Sequence, residues 1–135
     1  MTAGAGQSPG ARAAGSLLAR KEELAQAITG ALYEAQPGLA ARYGDAGRAK
    51  CLQDMRYTLE HLAPAVALGE TALFARYAAW LGQLLGARGI PLDDVRASLT
   101  ATERVLAVRL APDECAAIAG SLRAAMGTLS AAGAE

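Results

Sequence analysis

Apolar residues recur every three or four positions over long stretches of this 135-residue chain, between breaks made of glycine and proline. This spacing places apolar side chains on one face of an α-helix. The chain has no sustained alternation of apolar and polar residues bounded by turns, which a half-buried β-strand requires. The sequence therefore predicts an all-α fold of five or six helices joined by short connections.

The glycine and proline breaks give the predicted domain organisation. Residues 1–15, rich in glycine, alanine and serine, are expected to form a flexible leader, and residues 16–135 a single helical domain. Within that domain the predicted helices cover residues 16–36, 39–43, 46–67, 71–87, 92–110 and 112–129.

Two details of the predicted helix over residues 46–67 follow from single residues. Residues 44–47 are expected to form a turn from which Asp45 caps the helix, since its negative charge lies near the positive helix end. Pro64 is expected to kink the helix or to end its regular part, because proline removes one backbone hydrogen bond.

Composition excludes several classes of protein. Acidic and basic residues balance at 13 each and no basic cluster is present, which argues against nucleic-acid binding. No apolar run approaches the roughly 18–20 residues that span a bilayer, and no signal-peptide pattern is found, so a cytoplasmic protein is expected. Two cysteines and one histidine fit neither a disulfide framework nor a zinc motif, so no metal site is predicted.

The stretch over residues 47–59, GRAKCLQDMRYTL, concentrates reactive side chains near the start of a long helix. Cys51 and Asp54 lie on neighbouring rows of one helix face, which Thr58 continues, with His61 at its edge. This face is the candidate site of any chemistry in the chain.

Each of these residues has a functional and a structural interpretation. A thiolate at Cys51 is favoured by its place near the helix start and by the flanking Arg48 and Lys50. Such a thiolate adds to vinyl or ethylidene groups. The alternative is that Cys51 is a small buried apolar residue. A half-buried Asp54 needs hydrogen-bond donors, and a ligand with N–H groups would supply them. The alternative is a salt bridge from Asp54 to a cation: Arg56, Lys50 or Arg76.

The aromatic residues Tyr57, Tyr77 and Trp80 either wall a flat ligand or belong to the core. His61, the single histidine, has no serine and aspartate at a spacing that indicates a catalytic triad. No glycine-rich phosphate loop and no paired-carboxylate pattern is present. The sequence therefore predicts a protein that is not an enzyme.

Three segments together resemble a known family. The string ALYEAQPGLA is similar to an aromatic-glutamine-proline-leucine segment that precedes a chromophore helix, and GRAKCLQDMRYTLEHL resembles that helix. The string ALGETALFARYAAWLGQLLGARGIPLDDVRASLTATERVL resembles the two helices that follow. Residues 31–110 thus resemble the phycobiliproteins of the globin-like superfamily, which implies a globin-like helical bundle.

The resemblance implies roles for individual residues. Cys51 falls on the thioether cysteine for an open-chain tetrapyrrole, Asp54 on the aspartate that accepts the pyrrole N–H hydrogen bonds, Lys50 on a cation near a propionate, and Tyr57 on a pocket aromatic. Gln53 stands where the family usually has arginine. The N-terminal helical hairpin of the antenna subunits is also expected to be missing, which implies a solitary bilin-binding protein.

The leading hypothesis is therefore non-enzymatic binding of a biliverdin-type bilin for carriage, storage or sensing. Covalent attachment at Cys51, contact with bilin-synthesis enzymes and a homodimer through the outer side of the helix over residues 71–87 are left open. One alternative is a cofactor-free globin-like sensor or protein-interaction domain. The other is a haem globin with unusual ligation, disfavoured because residues 71–89 contain no histidine.

Overall fold

The computed structural model describes residues 7–134, and these form six α-helices with no β-strand. The predicted all-α class is therefore confirmed for the described part of the chain. The helices are α1 (Pro9–Ala19), α2 (Lys21–Ala35), α3 (Gly38–Leu68), α4 (Thr71–Ala87), α5 (Leu92–Arg109) and α6 (Pro112–Ala134).

Helix α1 begins earlier than predicted. The Ser8 hydroxyl caps it by accepting a hydrogen bond from the Ala11 N–H at 3.0 Å, and Pro9 occupies the first turn. Residues 1–6 of the predicted flexible leader lie outside the described residues. For residues 9–15 the prediction is wrong: they are helical, and Ala13 and Leu17 of this helix are fully buried against α3 and α6.

The helix predicted over residues 16–36 is divided at Arg20. The Arg20 backbone leaves the helical region, with a φ of −108° and a ψ of 19°, so that α1 ends before this residue and α2 begins after it. The Arg20 side chain stabilises this corner, since its guanidinium binds the Glu23 carboxylate at 2.7 Å and the Arg109 carbonyl at 2.8 Å. The corner is thereby connected to the end of α5.

Helix α3 is interrupted at Gly44, where φ is 67° and ψ is −170°, a conformation that only glycine adopts readily. The predicted turn over residues 44–47 is thus reduced to one residue, because the helix resumes directly after it. The regular helix does not end at Pro64: it continues to Leu68 and stops at Gly69, whose φ of 67° closes the C-terminus.

Helices α4 and α5 follow the predicted boundaries closely. Helix α4 ends before Gly89, which has a φ of 82°, and α5 begins after Pro91 with Asp93 and Asp94 in its first turn. Helix α6 extends beyond the predicted end at residue 129. None of the six helices in the described part of the chain has the length and hydropathy needed to cross a bilayer.

One core joins all six helices. Helix α4 packs along α6, α3 packs on α1 and α2, and α2 also packs on α5. The largest fully buried side chains are Phe74, Leu17, Leu24, Ile28, Leu59, Leu62, Leu81, Leu106, Ile118 and Leu129. This packing leaves the N-terminal half of α3 bordered by α2, the end of α4 and the start of α5.

The contact between α1 and α3 depends on Gly10. A Cβ atom at this position would lie 2.7 Å from the Val66 carbonyl oxygen, which belongs to the backbone and cannot move aside. We expect Gly10→Ala to lower the free energy of unfolding by about 1–3 kcal/mol. In the control Gly15→Ala no atom lies within 4 Å of the new methyl group, and a gain of about 0.5–1 kcal/mol is expected. Urea denaturation followed by circular dichroism measures both; equal stability of the two variants would contradict the close packing of α1.

Candidate functional site

A cavity of about 260 Å³ lies beside the N-terminal half of α3. Five parts of the chain form its wall: α2, α3, the end of α4, the α4–α5 connection and the start of α5. Its apolar lining comes from Leu32, Leu39, Met55, Leu85, Ile90 and Val95. Its polar lining comes from Tyr33, Tyr43, Lys50, Cys51, Asp54, Arg88, Asp94 and Ser98.

The break at Gly44 shapes one end of the cavity. It redirects the segment over residues 38–43, so that Tyr43 lies against Gly47, in the position that a side chain at Gly47 would need. The Tyr43 hydroxyl donates a hydrogen bond of 2.8 Å to the Asp94 carboxylate, and Arg42 approaches the same carboxylate at 3.5 Å. The start of α3 is thereby held against α5.

Asp54 is half-buried in the cavity wall. Its carboxylate accepts no hydrogen bond from any donor among residues 7–134. The Thr58 hydroxyl donates a hydrogen bond of 2.9 Å to the backbone carbonyl of Asp54, not to its side chain. Burial raises the pKa of Asp54, and the positive charges of Arg88 and Lys50 act in the opposite direction. A carboxylate in such surroundings is suited to accept hydrogen bonds from a ligand.

The salt-bridge alternative for Asp54 is not observed within the described residues. Arg56 instead binds Glu22 of α2 through two hydrogen bonds of 2.6 and 2.8 Å. Arg88 and Lys50 lie close enough to Asp54 for their charges to lower its pKa, but in the described part of the chain neither forms an ion pair with it. Both cations line the same cavity as the carboxylate, Lys50 from α3 and Arg88 from the α4–α5 connection.

Cys51 also lines the cavity, and of its two interpretations the buried residue agrees better with the structure than the thiolate does. Burial raises the pKa of the thiol to about 11, and the charge of Asp54 contributes to this rise. The Thr29 hydroxyl and the charge of Arg48 act in the opposite direction without overcoming it. The guanidinium of Arg48 lies 4.7 Å from the centre of the Tyr33 ring rather than at the sulfur. Cys51 is therefore a neutral thiol at physiological pH.

Three other predicted residues form a separate cluster between α3 and α4. The hydroxyl oxygens of Thr58 and Tyr77 are 2.9 Å apart, and the His61 ring stacks on Tyr77 with 4.3 Å between ring centres. Burial raises the pKa of Tyr77 to about 12. The His61 Nδ1 lies 2.8 Å from the Tyr57 carbonyl. This cluster does not line the cavity.

Tyr57 and Trp80 are largely exposed, at 44% and 53%. The Tyr57 hydroxyl accepts a hydrogen bond from the Gln53 amide at 3.0 Å, and the Trp80 ring lies 5.9 Å from Tyr77. The structure thus places Lys50, Cys51 and Asp54 together at the cavity. The other six predicted site residues, Arg48 included, lie outside its lining.

Five polar lining residues were not predicted: Tyr33, Tyr43, Arg88, Asp94 and Ser98. They come from α2, from the segment before Gly44, from the α4–α5 connection and from the first half of α5. The position of Tyr43 directly before Gly44 was the one local signal available. No group of three or more His, Cys, Asp or Glu side chains converges as a metal site within the described residues.

Neither models of known protein families nor curated protein sequences match this chain. The cavity and the side chains that line it are therefore the basis on which a ligand can be proposed.

The raised pKa of Cys51 predicts slow alkylation at neutral pH. In a Cys115→Ser background, the rate of reaction with iodoacetamide should still be rising at about pH 10, because the thiolate forms near pH 11. Asp54→Asn should move this profile to lower pH by removing a negative charge. A plateau near the ordinary thiol pKa of about 8.5 would contradict the burial of Cys51.

The burial of the Asp54 carboxylate predicts an unusual effect on stability. Its pKa is raised in the folded state, so the folded protein binds this proton more tightly, and the resulting stability is lost as the pH rises through the folded pKa. Asp54→Asn should therefore be more stable than the parent at pH 7, with the difference vanishing below about pH 3.

The control for this measurement is Asp113→Asn. The Arg12 guanidinium lowers the pKa of Asp113, so this variant should lose stability at neutral pH. Thermal denaturation over a series of pH values measures both variants. Loss of stability in Asp54→Asn at pH 7 would mean that the carboxylate has a structural partner.

Proposed function

We propose that this protein binds a linear tetrapyrrole of the biliverdin type in a globin-like cavity, without enzymatic activity, for carriage, storage or sensing of the pigment. The observation that carries the proposal is the Asp54 carboxylate, which lines a largely apolar cavity and accepts no hydrogen bond from any donor among residues 7–134. The central pyrrole rings of a bilin present adjacent N–H groups. One carboxylate accepts hydrogen bonds from both of them.

The charges around the cavity also suit this ligand. A bilin carries two propionates on the rings that would face Asp54, and the cavity is bordered by Lys50 from α3 and by Arg88 from the α4–α5 connection. Charge-assisted hydrogen bonds to these cations would fix the orientation of the ligand. The apolar lining, which includes Leu39, Leu85 and Ile90, provides contacts for the flat ring faces.

The size of the cavity indicates how much of the ligand is enclosed. A volume of about 260 Å³ lies just below the roughly 300–1,000 Å³ of typical small-molecule sites. The cavity would therefore hold the two central rings, with the outer rings extending along the surface. Tyr57, one helical turn from Asp54, offers an exposed ring on that surface.

The helix order agrees with the phycobiliprotein resemblance. The segment that resembles the chromophore helix lies in α3 after Gly44, and the segments that resemble the next two helices form α4 and α5. In the proposed globin-like arrangement the ligand lies among helices that pack in pairs, as α2 does with α3 and with α5.

Binding is proposed to be non-covalent. Cys51 lies in the cavity lining, but its thiol has a pKa of about 11 and is protonated at neutral pH. Spontaneous addition to a vinyl or ethylidene group requires the thiolate. Cys51 would then contact the ligand through its apolar sulfur surface.

Two alternatives fit the geometry less well. A cofactor-free interaction domain predicts a filled interior around Asp54, and the open cavity counts against it. A haem globin ligated by His61 predicts this residue in the cavity, whereas His61 is exposed and stacks on Tyr77 outside the lining.

Titration with biliverdin tests the proposal. The visible absorption of the pigment should shift to longer wavelength and sharpen, saturating at one bilin per chain. Asp54→Ala should weaken binding by roughly 10–100-fold through the loss of charge-assisted hydrogen bonds. Glu103→Ala, which changes an exposed side chain of α5, should bind like the parent. Absence of a spectral change, or unchanged binding by Asp54→Ala, would refute the proposal.

The role of Arg88 is tested with a modified ligand. Arg88→Gln should weaken binding of biliverdin several-fold but leave binding of its dimethyl ester unchanged, because the ester has no propionate charge. Arg123→Gln on α6 is the matched control. The mass of the denatured protein should not include the bilin; an added mass that disappears in Cys51→Ala would contradict non-covalent binding.

A further inference from the structure

A second concave surface lies between α2 and α5, on the far side of Tyr33 from the cavity. It is an open groove of about 860 Å³. Its floor is made of the small residues Ala27, Gly30 and Ala31, which lie on one face of α2. Val108 on α5 borders the groove and is 85% exposed, the largest exposure among the large apolar side chains of the described residues.

Positive charge surrounds this apolar floor. Arg48, Arg104 and Arg109 line the groove, and Glu34 is the one acidic residue of its lining in the described part of the chain. Arg109 is paired with Glu23 at 3.1 Å, and Arg48 stacks on the Tyr33 ring. Within residues 7–134 neither Arg48 nor Arg104 forms a salt bridge. The chain as a whole is neutral, so this charge is local to the groove.

We propose that the groove is a docking site for an amphipathic α-helix of a partner protein, whose apolar stripe is flanked by Asp or Glu residues. Small residues on α2 allow the backbone of such a helix to approach closely. A helix about 10 Å wide fills the groove volume in roughly two turns. Its acidic side chains would pair with Arg48 and Arg104.

The same features disfavour other occupants. Two copies of this chain that met groove to groove would bring their arginine side chains together, which places like charges across the interface. A nucleic acid would be attracted by the arginines but would leave the apolar floor and Val108 without a complementary surface. The combination of apolar floor and basic rim favours an acidic helix.

Two variants change the groove without changing the fold. A Cβ atom at Gly30 meets no atom within 4 Å, so Gly30→Leu is accommodated by α2 and fills the groove. Gly15→Leu on α1, where the surroundings are equally open, is its control. Arg104→Glu reverses a charge at the rim, and Arg123→Glu reverses an exposed charge on α6 as its control.

The experiment titrates the full ¹⁵N-labelled chain with synthetic helical peptides of about 15 residues. One peptide has leucine and alanine on one face, flanked by glutamate; the second has lysine in place of glutamate. The acidic peptide should shift the resonances of Gly30 and Val108 and bind at least roughly tenfold more tightly than the basic one. Gly30→Leu should weaken binding of the acidic peptide about tenfold or more, and Arg104→Glu should remove the preference for the acidic peptide over the basic one. The controls Gly15→Leu and Arg123→Glu should bind like the parent.

Several results would overturn the proposal. These are equal binding of both peptides, shifts that map away from α2 and α5, and binding unaffected by Gly30→Leu. Self-association abolished by Gly30→Leu would assign the groove to a second copy of the chain. Tighter binding of an oligothymidylate at the same resonances would assign it to nucleic acid. Circular dichroism checks that the variants fold. If Gly30→Leu does not fold, the test rests on Arg104→Glu: the proposal is overturned if this variant still prefers the acidic peptide.

Discussion

The arrangement of the site depends on one carboxylate, to which no donor in the described part of the chain forms a hydrogen bond. Asp54 lies half-buried in the wall of an apolar cavity, where burial raises its pKa. Such a group disfavours folding, so it persists because the rest of the chain stabilises the fold around it. The stabilising contacts lie elsewhere, in the core that α4 forms with α6 and that α3 forms with α1 and α2.

Much of the fold could be predicted from local signals. The bounds of α4 and α5 follow from their apolar stripes and from the Gly89 and Pro91 breaks, which act over a few residues. The start of α1 was missed because Ala13 and Ala14 carry little apolar surface, and their segment resembles a flexible tail. Their burial depends on the close approach of Gly10 to Val66, a tertiary contact that helical periodicity does not reveal.

The site was predictable only where it lies on one helix. Lys50, Cys51 and Asp54 share a face of α3, so helical spacing was sufficient to group them. Tyr33 comes from α2, Arg88 from the α4–α5 connection and Asp94 from α5, and all three meet them through tertiary packing. The state of Cys51 shows the same limit. Its neighbours in sequence favour a thiolate, but burial, which belongs to the packed structure, raises its pKa to about 11.

Binding of a bilin through Asp54 is tested most directly by producing the protein in cells that also make biliverdin. The chain is co-expressed with a haem oxygenase, and the absorption spectrum of the purified protein is recorded beside that of Asp54→Ala. The parent protein should be isolated with one bound pigment per chain and a red-shifted, sharpened absorption band, and the variant should be nearly colourless. A colourless parent protein, or a variant as strongly pigmented as the parent, would contradict the proposed role of Asp54.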